Sequence, residues 1–189
     1  QQNQEFVSCT QIGGALHLDP TQVRKDLAVT GVIGRPKVGY KVLELCEKVE
    51  DFLGWTNTQD AVLIGVGSLG TALLGYKPFA DNGVRIVAAF DTDSAKVDGM
   101  VHETPVFPLE KLPNLVERMK IHVGIVTVPV ENAQTACDLL VLSGIRAIWN
   151  FAPTALHVPE GVIVQNENLF SSLAILSSKL AAALRTPAG

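Results

Sequence analysis

Glycines at 65, 67 and 70 and an aspartate at 91 are the residues of this chain whose types and spacing carry chemistry. The apolar run Val62-Leu63-Ile64 reads as a buried strand that turns on Gly65-Val66-Gly67-Ser68-Leu69-Gly70 into a helix. A second strand-like run at 84–90 ends at Asp91. Strand, G-x-G-x-x-G, helix, second strand and an acid about 20 residues on make a dinucleotide-binding fingerprint. Gly65 allows the tight turn, Gly67 lets a pyrophosphate approach the backbone, and Gly70 lets the helix pack on the strand. The N–H groups at the helix start then face the pyrophosphate. A carboxylate at 91 can accept hydrogen bonds from ribose hydroxyls and repels a 2′-phosphate, which favours NAD(H) over NADP(H). The plainer alternative is an α/β domain whose glycine-rich turn binds another phosphate ligand, or nothing.

The elements that must position these residues follow downstream. A helix is expected from 68 to about 76, then the second strand, then an irregular stretch at 92–106 with a short strand near its end. A helix begins near Pro113, a buried strand covers 122–128, a helix covers 131–143 closed by Gly144, a strand covers 145–149, and a short last strand covers 162–164. Alternating strands and helices predict a doubly wound, mostly parallel sheet of Rossmann type. In such sheets ligands bind at the carboxyl ends of the strands. Gly65 to Gly70, Asp91, Thr127-Val128-Pro129 and Asn150-Phe151-Ala152-Pro153 all fall at expected strand ends, which points to one cleft. A helix at about 168–184 repeats Leu169, Leu173, Leu176 and Leu180 at spacings of four, three and four, a coiled-coil-like seam. It can pack on its own domain or on a partner chain.

The 189 residues allow one large domain or two small ones, and 47% apolar with 18% charged residues suits a well-cored soluble protein. The strand-like apolar runs are too short to span a bilayer. The polar start, without a basic and then an apolar segment, reads as no signal peptide. Cys9, Cys46 and Cys137 are scattered and lack C-x-x-C spacing, so they read as thiols in a reducing cytoplasm. The four histidines are equally scattered, and no metal site is expected.

A net charge of −4 hides a local excess of base: Arg24, Lys25, Arg35, Lys37 and Lys41 surround one acid, Asp26. Ser8 and Gln11 form a capping box that starts a helix. After a turn at His17-Leu18, Asp19 caps a second helix with Pro20 in its first position. Two short helices so joined form a helix-turn-helix. Val23 and Leu27 give the second helix its apolar face; Thr21, Gln22, Arg24 and Lys25 are candidates to reach base edges and phosphates. Arg24 and Lys25 are equally compatible with a solvated helix face. Residues 31–42 read as a two-stranded hairpin with Val38, Tyr40 and Val42 on one side and Arg35 and Lys37 at the tip. Such a hairpin makes a winged helix, with a basic tip for the phosphate backbone or the minor groove. An amphipathic helix at 43–53 carries Leu45, Cys46, Val49, Phe52 and Leu53 on its apolar side and ends at Gly54. A polar stretch at 56–60 marks a domain boundary. The expected domains are a winged helix at 1–55, a Rossmann domain at 60–166 and a C-terminal helix at 167–185.

Thr21-Gln22-Val23-Arg24-Lys25-Asp26-Leu27, Val38-Gly39-Tyr40, the 65–70 glycine turn, Phe90-Asp91, Thr127-Val128-Pro129 with Ala133-Gln134, and Asn150-Phe151-Ala152-Pro153 together resemble the Rex family of redox-sensing transcriptional repressors. The motifs run in order through nearly the whole chain. The resemblance implies a cytoplasmic homodimer that binds a palindromic, inverted-repeat operator in double-stranded DNA and releases it when NADH binds. It implies a C-terminal helix swapped between subunits. It implies that Thr21, Gln22, Arg24, Lys25, Arg35, Lys37 and Tyr40 lie on the DNA side. It implies that Gly65, Gly67, Ser68, Leu69, Gly70, Asp91, Thr127, Val128, Pro129, Asn150, Phe151 and Ala152 line the cofactor cleft, with Tyr76 near the nicotinamide end. There are departures. The family's first helix, ahead of Ser8, is barely represented, Pro36 stands where many members have a basic residue, and Lys37 stands where glycine is frequent. Asn168 stands where many members have an aspartate that contributes to switching, beside Glu167.

Two other readings stay open on the residues. A small NAD-dependent oxidoreductase needs an acid/base group and a substrate pocket. There is no Tyr-x-x-x-Lys pair, and His122 and His157 are the only acid/base candidates. A CoA- or nucleotide-binding protein of the same sheet type is the other. For a sensor, discrimination between NADH and NAD⁺ requires an apolar nicotinamide pocket, because burying the cationic ring is costly; Phe151 and Ala152 can supply that surface.

Overall fold

The computed structural model describes residues 5–53, 59–167 and 169–185. The chain divides into two compact units, Gln1–Thr58 with Asp81–Gly83, and Gln59–Ala80 with Val84–Gly189.

In the first unit, helix α1 (Cys9–Leu16) starts at a reciprocal cap. The Gln11 N–H donates to Ser8 Oγ at 3.2 Å, and the Ser8 N–H donates to Gln11 Oε1 at 2.8 Å. His17 closes the helix in the left-handed region at φ +56°. Helix α2 (Pro20–Ala28) is capped by Asp19, whose carboxylate accepts from the Thr21 and Gln22 N–H groups at 2.8 and 3.2 Å. Those two donors hold the Asp19 carboxyl below the usual carboxylate range. Helix α3 (Val42–Phe52) completes the unit. Cys9, Val23, Val32, Tyr40 and Leu45 form its core, with Val7, Ile12, Leu27 and Val49 packed against them.

The expected hairpin at 31–42 differs. Its two arms meet only at one bridge, Arg35 with Gly39, around a turn with Lys37 at φ +63°. Beyond it, strand β2 (Tyr40–Lys41) pairs antiparallel with β1 (Phe6–Val7), not with its own upstream arm. Gly39 permits this: at φ +103° its chain lies so close to Val7 that a Cβ would strike the Val7 carbonyl. Val42 therefore opens a helix instead of extending a strand. The apolar side of α3 is also narrower than expected. Leu45 and Val49 face the core; Cys46, one position round the helix from Leu45, is exposed, and Phe52 and Leu53 are exposed because this small core ends before the last helical turn. Gly54 and residues 56–58, the expected cap and boundary, lie outside the described residues.

The second unit is a seven-stranded sheet. In chain order its strands are β3 (Gln59–Ile64), β4 (Val84–Asp91), β5 (Met100–Val101), β6 (Thr104–Pro108), β7 (Val123–Val126), β8 (Ala147–Asn150) and β9 (Ile163–Asn166). The spatial order is β5-β6-β4-β3-β7-β8-β9, and every pair is parallel except β5 with β6. Without β5 this is the doubly wound order 3-2-1-4-5-6. The crossovers are α4 (Ser68–Leu74), with the single turn α5 (Pro78–Asp81), then α6 (Leu112–Met119) and α7 (Val130–Leu142). Both sheet faces are covered, so the strands read as continuous apolar runs. Val62, Ile64 and Phe90 pack on one side with Leu112, Val116 and Leu140. Ala61, Leu63 and Ile125 pack on the other with Leu73, Leu74 and Trp149.

The 92–106 stretch is more regular than expected. β5 folds back on β6 through His102 and Glu103, both at positive φ, where Asn or Gly would ordinarily announce such a turn. The final helix α8 (Leu169–Arg185) is present, and its Leu173, Leu176 and Leu180 are more than half exposed in this chain.

Phe90 is fully buried at the centre of the sheet and tilts against Phe107 at 6.1 Å. Phe90→Ala is expected to cost about 3–5 kcal/mol in urea unfolding. A loss below about 1 kcal/mol would mean that β4 does not anchor this core.

Candidate functional site

The parallel register brings the strand ends level. Ile64 lies beside Phe90 and Val126, Val126 beside Asn150, and Asn150 beside Asn166. The next residues, Gly65, Asp91, Thr127, Phe151 and Glu167, therefore emerge along one edge.

At that edge each glycine has its own constraint. Gly65 sits at φ +102°, and a Cβ there would lie 2.7 Å from Val128 Cγ1 and 2.9 Å from the Thr127 carbonyl carbon. A Cβ at Gly70 would strike the Gly65 carbonyl. At Gly67 the same construction meets nothing within 4 Å. The turn is thus closed on two sides and open at Gly67. Ser68 and Leu69 form the first turn of α4, and no side chain caps that helix, so its leading N–H groups are available to an anion. Thr127 fixes the turn from the neighbouring strand: its hydroxyl donates to the carbonyls of Gly65 at 2.7 Å and Ile64 at 3.1 Å.

Asp91 is tied to the same turn. Its Oδ2 accepts the Val66 N–H at 2.7 Å, and its Oδ1 accepts the Asp93 N–H at 2.9 Å. The Lys96 ammonium lies 3.3 Å from Asp91 Oδ2 and 3.6 Å from Asp93 Oδ2. Burial alone raises the Asp91 pKa; the two N–H donors and the ammonium outweigh it and hold the carboxyl below its usual range. Gly65, Gly67, Asp91, Thr127, Val128 and Pro129 border a cavity of about 500 Å³, within the usual size of a small-molecule site. Lys96 and Asn132 border it too. Sequence reasoning missed both. The run Asp91-Thr92-Asp93-Ser94-Ala95-Lys96 held a signal, since the Asp93 side chain caps the Ala95 N–H at 3.0 Å and turns Lys96 back.

Four expected cleft residues are placed differently. Asn150 is fully buried: its Oδ1 accepts the Ala152 N–H at 3.0 Å, and its Nδ2 donates to Thr154 O at 2.7 Å and Asn166 Oδ1 at 2.8 Å. The side chain shapes the loop and does not line the cavity. Phe151 and Ala152 lie beyond the glycine-turn cavity; Phe151 is half-buried and packs at a tilt against Trp149 at 4.9 Å, while Ala152 borders a smaller cavity of about 270 Å³. Tyr76 borders a separate cavity of about 500 Å³ beside Lys77, Arg85 and His102. Tyr76 and Phe151 are nonetheless linked by a chain of ring contacts, with Tyr76 edge-to-face on Phe79 at 4.9 Å and Phe79 edge-to-face on Trp149 at 5.3 Å.

In the first unit, Arg24, Arg35 and Lys37 converge on a cavity of about 430 Å³. Arg35 also lies over the Phe6 ring at 5.3 Å. Thr21, Gln22, Arg24 and Lys25 are exposed on α2, and Gln22 Nε2 donates to Asp26 at 2.6 Å. Tyr40 belongs to the core of this unit and also borders that cavity. Its hydroxyl lies 4.0 Å from Cys9 Sγ, and burial, with that thiol, pushes its phenol up.

Among the described residues no group of His, Cys, Asp or Glu is placed to hold a metal, and no helix is long and apolar enough to cross a membrane. The family model described as the CoA binding domain matches residues 56–154. The redox-sensing transcriptional repressor Rex of Treponema denticola is 48% identical over 172 residues, 91% of this chain and 82% of that one. The protein of the same name from Bacteroides fragilis is 41% identical over 180 residues, 95% of this chain and 82% of that one. The solved structure of RSP in complex with β-NAD⁺ and operator DNA matches at a TM-score of 0.90 and 32% identity, covering 96% of this chain and 84% of that chain. RSP in complex with β-NADH matches at 0.85 and 32% identity, covering 95% and 84%.

The lowered Asp91 pKa sets a stability window. Its contribution is complete above the unfolded value near 3.8 and is lost as pH falls below it. Asp91→Asn is expected to unfold more easily at neutral pH and to show a flatter loss of stability below pH 4 than the parent, by urea titration across pH. Parallel acid limbs for the two proteins would contradict this.

Proposed function

The chain belongs to the Rex family of redox-sensing transcriptional repressors, and from that premise we propose that it represses transcription by binding double-stranded operator DNA and releases the operator when NADH occupies the second unit. The observation that carries this reading is the union, in one chain, of a basic helix-turn-helix with a turn built for a dinucleotide. The site fits the cofactor. Gly67 leaves room for a pyrophosphate where the other two glycines leave none. Asp91 stands beside that opening with its position fixed by Val66 and Asp93, where it can accept from ribose hydroxyls. Val128 and Pro129 form the facing wall. The redox-active ring belongs near Phe151, where a partly buried, apolar setting costs a cation more than a neutral dihydronicotinamide.

The DNA-side residues of this reading are Thr21, Gln22, Arg24, Lys25, Arg35 and Lys37. Arg24, Arg35 and Lys37 suit phosphates from both sides of one concavity. Tyr40 supports that surface from beneath. The domains are a winged helix up to residue 55, a cofactor domain from 60 and the terminal helix from 167. The exposed leucine seam of α8 supports a homodimer in which this helix packs on the partner, matching the twofold symmetry of a palindromic operator. A monomer by light scattering at micromolar concentration would contradict the dimer. Such a regulator acts in the cytoplasm.

The reading gives the chain no catalytic step. His122 precedes β7 and so lies at the opposite sheet edge from Gly65 and Asp91, and His157 is exposed, with its backbone bonded to Gln134.

The two functions should separate by substitution. Arg24→Ala is expected to weaken DNA binding and lower its salt slope by about 1 while leaving calorimetric NADH affinity unchanged. Asp91→Ala should weaken NADH by about 10-fold or more and leave unliganded DNA binding intact. Equal loss of both activities in both variants would contradict the assignment.

A further inference from the structure

Glu167 occupies the step between β9 and α8 and is held at two points. Its N–H donates to the Asn150 carbonyl at 2.8 Å, continuing the parallel ladder. Its side-chain Oε1 accepts the Trp149 indole N–H at 2.8 Å, in a partly buried setting. One anchor leaves a residue free to pivot; two anchors on adjacent residues of β8 hold Glu167 in place. Asn150 reinforces the attachment by donating to Asn166.

The Trp149 ring is not an isolated strut. It packs at a tilt against Phe151 at 4.9 Å and edge-to-face against Phe79 at 5.3 Å, and Phe79 packs edge-to-face against Tyr76. Whatever shifts Phe151 presses on Trp149, and Trp149 carries the donor that holds Glu167. The indole N–H is a donor only, so the bond is either made or lost.

We propose that Trp149 and Glu167 are a positioning pair that transmits the state of the Phe151 end of the cleft to the base of α8, through the indole-to-carboxylate hydrogen bond. This rests on the reading given above, in which the second unit binds NADH and α8 packs on the partner. Neither residue need touch the cofactor. Their effect is on the coupling between the two ligands, not on the affinity for either one alone.

The test uses the full chain and a labelled duplex selected by the wild-type protein from a random-sequence pool. The readout is the ratio of DNA dissociation constants with and without saturating NADH. Trp149→Phe keeps an aromatic ring and removes the donor; Glu167→Ala removes the acceptor from a partly buried position. Each is expected to reduce a wild-type ratio of about 10 or more to below about 3, with NADH affinity held within about 3-fold. The double variant should lose no more than either single one, because both act through one bond. Glu167→Gln keeps an acceptor oxygen and should restore at least about half of the response. Single variants that retain the wild-type ratio, or losses that multiply in the double variant, would overturn the pair. A wild-type ratio of 1 would overturn the NADH-release reading, and the pair with it.

Discussion

Parallel pairing in register is the constraint on which this structure depends. Ile64, Phe90, Val126 and Asn150 lie level across four adjacent strands. A slip of one residue in β4 would turn Phe90 out of the core and carry Asp91 away from the Val66 N–H. The buried faces exact that register, since Val62, Ile64 and Phe90 must meet one helical layer while Ala61 and Leu63 meet the other. Packing that never touches a ligand thus places the glycine turn, the carboxylate and the loop after β8 along one edge.

The polar groups at this edge mostly serve the backbone. Thr127 braces the Gly65 turn, Asn150 folds the 151–154 loop, and Asp91 ties β4 to the turn after β3. A site whose walls are set by internal hydrogen bonds needs little rearrangement to receive a ligand. The same bonds join the loop to its surroundings: Asn150 reaches both Thr154 and Asn166. The physical content of a ligand-responsive repressor lies there, in contacts that a change at one strand end passes to its neighbour.

Much of this was legible in the sequence because few residues can do what Gly65, Gly70, Ser8 with Gln11, or Asp19 with Pro20 do. Their signals come from backbone geometry, and the helices and turns they announce are present. The apolar runs in the central strands announced a sheet covered on both faces. The failures are instructive in the same terms. Val38, Tyr40 and Val42 alternate like a strand, yet the partner of β2 is Phe6–Val7, and the residue that decides it, Gly39, acts through a close approach that spacing does not reveal. The β5–β6 hairpin went unread because His102 and Glu103 occupy positions usually marked by Asn or Gly. Asn150 stood out as polar at a strand end, but only the structure gives its burial and the Asn166 partner 16 residues away. Lys96 was invisible until the Asp93 turn returned it to Asp91.

In the proposed function one chain binds DNA and lets it go according to the reduced cofactor. Fluorescence anisotropy of a labelled inverted-repeat duplex, saturated with protein and titrated in parallel with NADH and NAD⁺, tests it directly. NADH is expected to release the duplex at concentrations where NAD⁺ leaves it bound. Equal release by both cofactors, or by neither, would contradict it.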